Sequence, residues 1–220
     1  MTKENSAIVF MGAPGSGKTT LARGLAAHHP MLLIETGNLL GAEAKRGTPL
    51  GQEIKPYQAA GNLVPSDLVK RVISAELARR TGQTVLFDGF PRSMPQFDLL
   101  SELVKDQGLA LSAVLIFNVK LETVLQRLSG RRLCPNCGAI YNIHATPPRK
   151  ESICDKCGSQ LTQRPDDAPE VVRRRFENYQ RETIPVIELF RTKYLQQCID
   201  VVADNSPADV LSAVRKELGF

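Results

Sequence analysis

The chain has 220 residues, 42% apolar and 23% charged, a composition that suits a folded globular protein and excludes a disordered one. At roughly 150 residues per domain, that length suggests one sizeable core carrying an insertion. Its 28 basic and 23 acidic residues leave a formal charge of +5, which suits a protein that handles polyanions. The apolar runs, such as Ala7–Met11 and Ala110–Phe117, fall far short of the ~20 residues that span a bilayer. The first of them, just after Lys3 and Glu4, is also too short for the core of a secretory signal. No membrane segment and no secretion are therefore expected.

Taken in order, strands alternate with helices. Ala7–Met11 is wholly apolar, as expected of a strand covered on both faces, and a Gly-rich turn leads into a helix over about 18–27. Met31–Glu35 is the second predicted strand. Helices are predicted over 38–46, 52–60 and 66–80, punctuated by Gly47-Thr48-Pro49 and Gly61. Thr84–Asp88 is the third strand. Ser93 and Gln96 have the spacing of a capping box for a helix running to about Lys105. Strand four is Ser112–Phe117, followed by a helix over Leu121–Ser129. The rhythm breaks from Arg131 to Pro165, then a helix runs from about Asp167 to Tyr194 with a kink expected at Pro185. Ile199–Val202 is strand five, and Ser206–Asp209 should cap the last helix. The pattern predicts an α/β fold with a five-stranded parallel sheet flanked by helices, plus a small inserted unit.

Gly12-Ala13-Pro14-Gly15-Ser16-Gly17-Lys18-Thr19 matches the phosphate-loop pattern G-x-x-x-x-G-K-[ST], placed between a predicted strand and helix. A polyphosphate needs many N–H donors at once, so the glycines let the backbone wrap it closely. The following helix directs its positive end at the anion, Lys18 adds a cation, and Thr19 offers a hydroxyl toward Mg²⁺. A nucleoside-triphosphate site is expected.

Of five cysteines, four form C-x₂-C-x₁₆-C-x₂-C: Cys134, Cys137, Cys154 and Cys157. Each C-x-x-C makes a knuckle aiming two sulfurs at one point, and four thiolates are the closed tetrahedral set of a structural Zn²⁺. Redox disulfides or idle thiols are the alternatives, but a redox motif would need only one pair. His144 is read as a loop residue, and Cys198 as a small buried apolar one. Clustered, reduced cysteines point to a cytoplasmic location.

Further pieces lie where ligands bind in open α/β sheets: Asp88-Gly89-Phe90-Pro91-Arg92 at the end of strand three, then Gln96. Arg131-Arg132 stands at the entrance of the insert, and Arg164 with Asp166-Asp167 at its exit. Together with Thr36-Gly37, these motifs resemble the adenylate kinase family, long form with a zinc-binding lid, over nearly the whole chain. The resemblance implies a P-loop core (1–130 and 166–220), a monophosphate-binding flap over 36–65, and a zinc-ribbon-like lid over 131–165. It implies reversible Mg²⁺-dependent transfer, ATP + AMP to two ADP, with nucleotides as partners, no nucleic acid, and a monomer.

Carried over by residue, Gly15, Ser16, Gly17, Lys18, Thr19 and Thr20 would hold ATP phosphates. Arg131, Ile140 and Tyr141 would cover them. Thr36, Asn62, Leu63, Val64, Gly89, Phe90, Pro91, Arg92 and Gln96 would bind AMP, with Arg92 on its phosphate and Gln96 at the adenine edge. Asp88 would orient hydrated Mg²⁺. Lys18, Arg92, Arg131, Arg164 and Arg175 would stabilise the transferring phosphoryl group, Arg164 and Arg175 touching the acceptor as well, and Arg127 and Arg132 would support them. Converging cations are what phosphoryl transfer demands, because charge spreads over the equatorial oxygens.

Two positions depart from the family pattern. Its G-K-G-T is here Gly17-Lys18-Thr19-Thr20, which the loop should tolerate. Its T-G-x-x-x-R would place an arginine where this chain has Gly41, implying monophosphate binding weaker by roughly one to two orders of magnitude. Lys45 or Arg46, one turn on, could compensate in part. A different monophosphate acceptor, or a weakly catalytic nucleotide-binding protein, are the readings Gly41 opens. A zinc-ribbon nucleic-acid ATPase would need aromatic residues for base stacking, but aromatics are only 5% and tryptophan is absent.

Overall fold

The structure is a computed structural model and describes residues 5–205 and 207–219. The strands are β1 (Ser6–Gly12), β2 (Met31–Glu35), β3 (Thr84–Asp88), β4 (Ala110–Asn118), β5 (Arg131–Leu133), β6 (Ile140–Asn142) and β7 (Cys198–Val202). The helices are α1 (Lys18–Ala26), α2 (Thr36–Lys45), α3 (Pro49–Ala59), α4 (Ser66–Leu77), α5 (Met94–Asp106), α6 (Leu121–Ser129), α7 (Pro169–Asn178), α8 (Ile184–Lys193) and α9 (Pro207–Leu218).

Five strands form a parallel sheet in the order β2-β3-β1-β4-β7, and β5 pairs antiparallel with β6 in the insert. Because successive side chains alternate between faces, β1 serves two cores at once. Ala7, Val9 and Met11 join the side covered by α2–α5 and α8, where Phe97 of α5 meets Phe190 of α8 edge-on at 4.9 Å. Ile8 and Phe10 join the side covered by α1 and α9. Phe10 packs on Phe117 of β4 with ring centroids 5.1 Å apart, and truncating either ring would cost about 3–5 kcal/mol. β2 and β3 lie on one side of β1 and β4 and β7 on the other, so the carboxyl ends of β1 and β3 open a crevice at the switch point.

Local chemistry moves several boundaries. α3 starts at Pro49, three residues before the expected 52, because Thr48 caps it: its Oγ1 accepts a hydrogen bond from Gly51 N at 3.0 Å, with Pro49 in the first turn. β4 starts at Ala110, two residues early, since Ser6 of β1 already pairs with it. The expected capping box does not form. Ser93 makes no capping bond, and Gln96 Oε1 instead accepts from Arg92 N at 2.9 Å. Cys198 is half-buried, not buried. The predicted cap at Ser206 falls outside the described residues.

The long helix expected over 167–194 is interrupted ahead of Pro185. A short 3₁₀ turn (Pro165–Asp167) precedes α7, and Tyr179–Thr183 then widens into a π-turn in which Ile184 N reaches back to Tyr179 O. Proline at 185 has no N–H to donate and its ring crowds the preceding turn, so the strain is absorbed by widening rather than by a sharp kink.

Candidate active site and metal centre

The loop after β1 folds tightly against β4. Gly12 has φ +145°, and a Cβ there would sit 2.7 Å from Phe117 O, so only glycine lets the chain leave the strand this way. Gly17 precedes α1, whose first residue, Lys18, turns back across the loop. Its Nζ donates to Gly12 O at 2.8 Å, Ala13 O at 2.7 Å and Ser16 Oγ at 2.9 Å. The ammonium is thus held by the cradle it would share with a phosphate.

Phe10 of β1 and Asp88 at the end of β3 are register partners, which brings Asp88 beside the loop. Thr19 Oγ1 donates to Asp88 Oδ2. Burial pulls Lys18 down from 10.5 to about 7, against the opposing pull of Asp88, with Arg92 and Arg175 adding to the depression. Burial likewise pushes the Asp88 carboxyl up, while Lys18 and Thr19 oppose it. Both groups resist charge in the free protein, and a bound polyphosphate with its cation would restore it.

Arg92 hangs from the same strand end. Its Nε donates to Gly89 O at 2.6 Å, and Thr183 Oγ1, in the π-turn, donates to Arg92 O at 2.9 Å. Its Nη2 lies 3.8 Å from where a Cβ on Gly37 would stand, so the guanidinium faces the N-terminus of α2. Burial lowers its pKa, as it lowers that of Arg175 to about 10.

At the exit of the insert, two aspartates organise three arginines. Asp166 receives Arg164 through Nε and Nη2, both at 2.8 Å, and Arg175 Nη1 at 2.8 Å. Asp167, fully buried, takes a fork from Arg131, with Nε at 2.8 Å. Burial pushes Asp166 up, but Arg175 and Arg164 together hold it below the ordinary carboxylate range. Among the described residues, Nη1 of Arg131 and Arg164 and Nη2 of Arg175 donate to no protein group, leaving them for an anion. The pairs orient the forks and leave these donors spare.

Around α2 the structure is less cationic. Thr36 is 4% exposed and its Oγ1 has no hydrogen-bond partner among the described residues, which a ligand oxygen or water would supply. Gln58 of α3 donates to Gly37 O at 3.4 Å, and its amide stands about where a side chain at 41 would reach, 3.9 Å from a Cβ on Gly41. Arg46 is exposed and pairs with Glu43 on its own helix at 3.1 Å, and Lys45 is exposed. Asn62–Val64 follow the flap's last turn, where α7 anchors the chain: Asn178 Nδ2 donates to Gly61 O at 3.2 Å and Arg174 Nη1 to Ala60 O at 3.1 Å. Gln96, 4% exposed, has its oxygen committed to Arg92 N.

Arg127 and Arg132 point elsewhere. Arg127 Nη2 reaches Asn205 O at 3.5 Å, and Arg132 Nη1 bonds the carbonyls of Ser129 and Arg131. Neither joins the two aspartates. Tyr141 also turns away from the loop: its hydroxyl accepts from Asp155 N at 2.8 Å and lies 3.5 Å from Cys154 Sγ.

The four cysteine sulfurs all lie within 4.8 Å of one another, with Cys134–Cys157 at 3.4 Å and Cys137–Cys154 at 3.5 Å. A tetrahedral thiolate set with ~2.3 Å metal–sulfur bonds has edges of roughly 3.8 Å, so the residues fit a metal of that kind. Cys134 and Cys154 are buried with Ala139 and Leu161 in a core of four residues, too small to hold the insert alone.

Three groups beside the site escaped the sequence reading: Thr183, which supports Arg92, and the pair Arg23 and Glu35. Glu35 is the register partner of Asp88, a relation that strand order reveals and sequence spacing does not. Thr183 reaches Arg92 only because the helix widens before Pro185.

The chain matches the adenylate kinase family profile over residues 10–195. It is 39% identical over 184 residues to an adenylate kinase of Pyrococcus furiosus, covering 84% of this chain and 83% of that protein. It is 38% identical over 213 residues to an adenylate kinase of Caldicellulosiruptor saccharolyticus, covering 96% and 98%. A third relative, from Thermococcus kodakarensis, is 38% identical over 193 residues. A phosphate loop facing Asp88, a crevice ringed by arginines and a four-cysteine insert are thus found in a chain that belongs to the adenylate kinase family.

Proposed function

We propose that this phosphotransferase moves the γ-phosphoryl group of Mg-ATP onto AMP, reversibly, to give two ADP. The observation that carries the reading is convergence: Lys18, Arg92 and Arg175 come from three separate elements, yet Arg92 and Arg175 both lie close enough to depress Lys18, and Arg92 close enough to depress Arg175. In this reading Gly15–Thr20 hold the donor phosphates, and Lys18 follows the transferring group. Arg92, with Thr36 and the N-terminus of α2, holds the acceptor phosphate. Residues 62–64, Gly89–Pro91 and Gln96 line the acceptor, with Gln96 offering its amide nitrogen. An oxygen of the AMP phosphate attacks the γ-phosphorus, the bond to the β-phosphate oxygen breaks, and ADP leaves. Arg131, Arg164 and Arg175 meet the charge spread over the equatorial oxygens with the donors their aspartates leave free. Mg²⁺ bound with ATP supplies neutralising charge near Asp88.

In the same reading the flap is 36–65, the lid 131–165 and the core the remainder. The lid's thiolates hold Zn²⁺ and stiffen a segment with little core of its own. Ile140 and Tyr141 would cover ATP through backbone and ring, since the Tyr141 hydroxyl is engaged in the cysteine cluster. Reduced thiolates suit the cytoplasm, and one chain supplies every group, so a monomer suffices. No described helix is long and apolar enough to cross a membrane.

The test is diphosphate formation from Mg-ATP with AMP, CMP, UMP and GMP offered separately. AMP is expected to be the preferred acceptor. Preference for another monophosphate would replace the substrate, and measurable ATP binding without turnover on any acceptor would overturn the reading.

A further inference from the structure

Arg23 lies on α1, about one turn beyond the phosphate loop, and plays no part in the site described above. Its guanidinium has three partners. Nε and Nη2 grip the two carboxylate oxygens of Glu35, the latter contact at 2.8 Å, and Nη1 donates to Gly138 O at 2.7 Å. Gly138 directly follows Cys137, on the first cysteine knuckle. Among the described residues, no other hydrogen bond joins either knuckle to the core. Glu35 closes β2 immediately before α2, and its Oε2 also accepts from Nδ2 of Asn38 in the first turn of α2. The Arg23 side chain is 35% exposed and that of Glu35 13%.

We propose that Arg23, aimed by Glu35, is the core-side latch of the lid, and that Glu35 ties this latch to the flap through Asn38. The fork explains the aim. With Nε and Nη2 fixed on one carboxylate, the remaining nitrogen of a rigid planar group has one direction left, and the lid carbonyl lies along it. A lysine could satisfy one partner but not both. One carboxylate thus touches core helix, flap helix and, through Arg23, lid. These are the three bodies that must come together to exclude water from the reacting phosphates. Arg23 and Glu35 are positioning residues; neither reaches the reacting atoms. The inference rests on the kinase reading.

The decisive measurement is the affinity of diadenosine pentaphosphate, which spans both nucleotide sites, by calorimetry on the zinc-loaded protein. It is made alongside ATP steady-state kinetics and melting with and without that ligand. Because the latch forms only with the lid down, Arg23→Ala should weaken binding and raise the ATP KM. An effect of about tenfold is expected, the lower end for a charge-assisted hydrogen bond at a half-exposed site. kcat should not fall. Glu35→Gln should reproduce most of this, and the Arg23→Ala/Glu35→Gln double variant should be no worse than Arg23→Ala alone. Arg23→Lys should fall between. The ligand-free melting temperature should change little, while the shift produced by the ligand shrinks. Unchanged affinity in Arg23→Ala, additive losses in the double variant, or a loss of ligand-free stability matching the whole effect would each overturn the latch. Binding heats are read without turnover, so an inactive but ligand-binding wild type would count against the kinase reading alone.

Discussion

Binding of Mg-ATP should take up a proton at mildly alkaline pH, and Lys18 should be the group that takes it. Burial under the loop leaves the free ammonium with a pKa of about 7, so at pH 8 only ~0.1 of it is charged. A polyphosphate in the cradle would favour the charged form and lift the pKa well above the working pH. Binding then takes up ~0.9 of a proton at pH 8 and only ~0.1 at pH 6, and affinity falls about tenfold per unit above pH 7. The sign for folding follows from the same depression. Between about pH 7 and 10.5 the unfolded chain binds the extra proton, so this group's contribution to stability rises with pH across that window. Calorimetry in two buffers of different ionisation enthalpy, without acceptor, gives the proton count directly. Buffer-independent heats at pH 8 would refute the reasoning, as would the same uptake in Lys18→Met.

Gly41→Arg should lower the AMP KM about tenfold or more and leave the ATP KM unchanged, since a Cβ at 41 meets only the movable end of Gln58 at 3.9 Å. An unchanged AMP KM would show that a guanidinium there is not what the acceptor site lacks. Cys154→Ser should reduce bound zinc from one equivalent and lower the melting temperature by several degrees, as chelation of the wild type should. Full metal content with unchanged melting would refute the lid's dependence on its thiolates. In Gly51→Ala the new Cβ would stand 2.2 Å from Glu43 O, so α2 and α3 must part at a cost of about 1–3 kcal/mol. An unmoved urea midpoint would show that contact to be loose.

What could be read from the residues alone was whatever local pattern dictates. β1 announces itself because a strand covered on both faces has no polar side, and the loop because its glycines stand where the chain turns under β4. The cysteine set is legible because each knuckle is complete within four residues. The parts that escaped depend on elements far apart in the chain. Arg46 looked like a spare cation near the acceptor, but Glu43, three residues earlier on the same helix, claims it. Gln96 had the spacing of a capping residue, yet its oxygen accepts from the backbone N of Arg92, the residue before Ser93, and Ser93 caps nothing. Glu35 had no motif at all; its meaning comes from lying opposite Asp88 and from gripping Arg23, which reaches Gly138 of the insert. Proline 185 foretold a disturbed helix, and the direction in which the disturbance was absorbed decided what Thr183 touches.

That widened turn also constrains how this chain can change length. On an α-helix, residues five apart lie roughly 140° apart around the axis, so Asn178 and Thr183 would look in different directions. With one turn closed by an i to i+5 bond, residues at that spacing come nearly into line. Here both serve the crevice, Asn178 holding Gly61 O and Thr183 holding Arg92 O. Deleting a single residue between them would remove no group that contacts nucleotide. It would also close the wide turn into ordinary α-helix, where residues four apart lie only about 40° apart around the axis, so Thr183 would still face Arg92. Inserting one residue would instead leave the two anchors roughly 140° apart even with the wide turn kept, and would release Arg92 from its support. Homologous chains free to vary the side chains at 180–182 should therefore lose a residue there, together with the widened turn, more readily than they gain one.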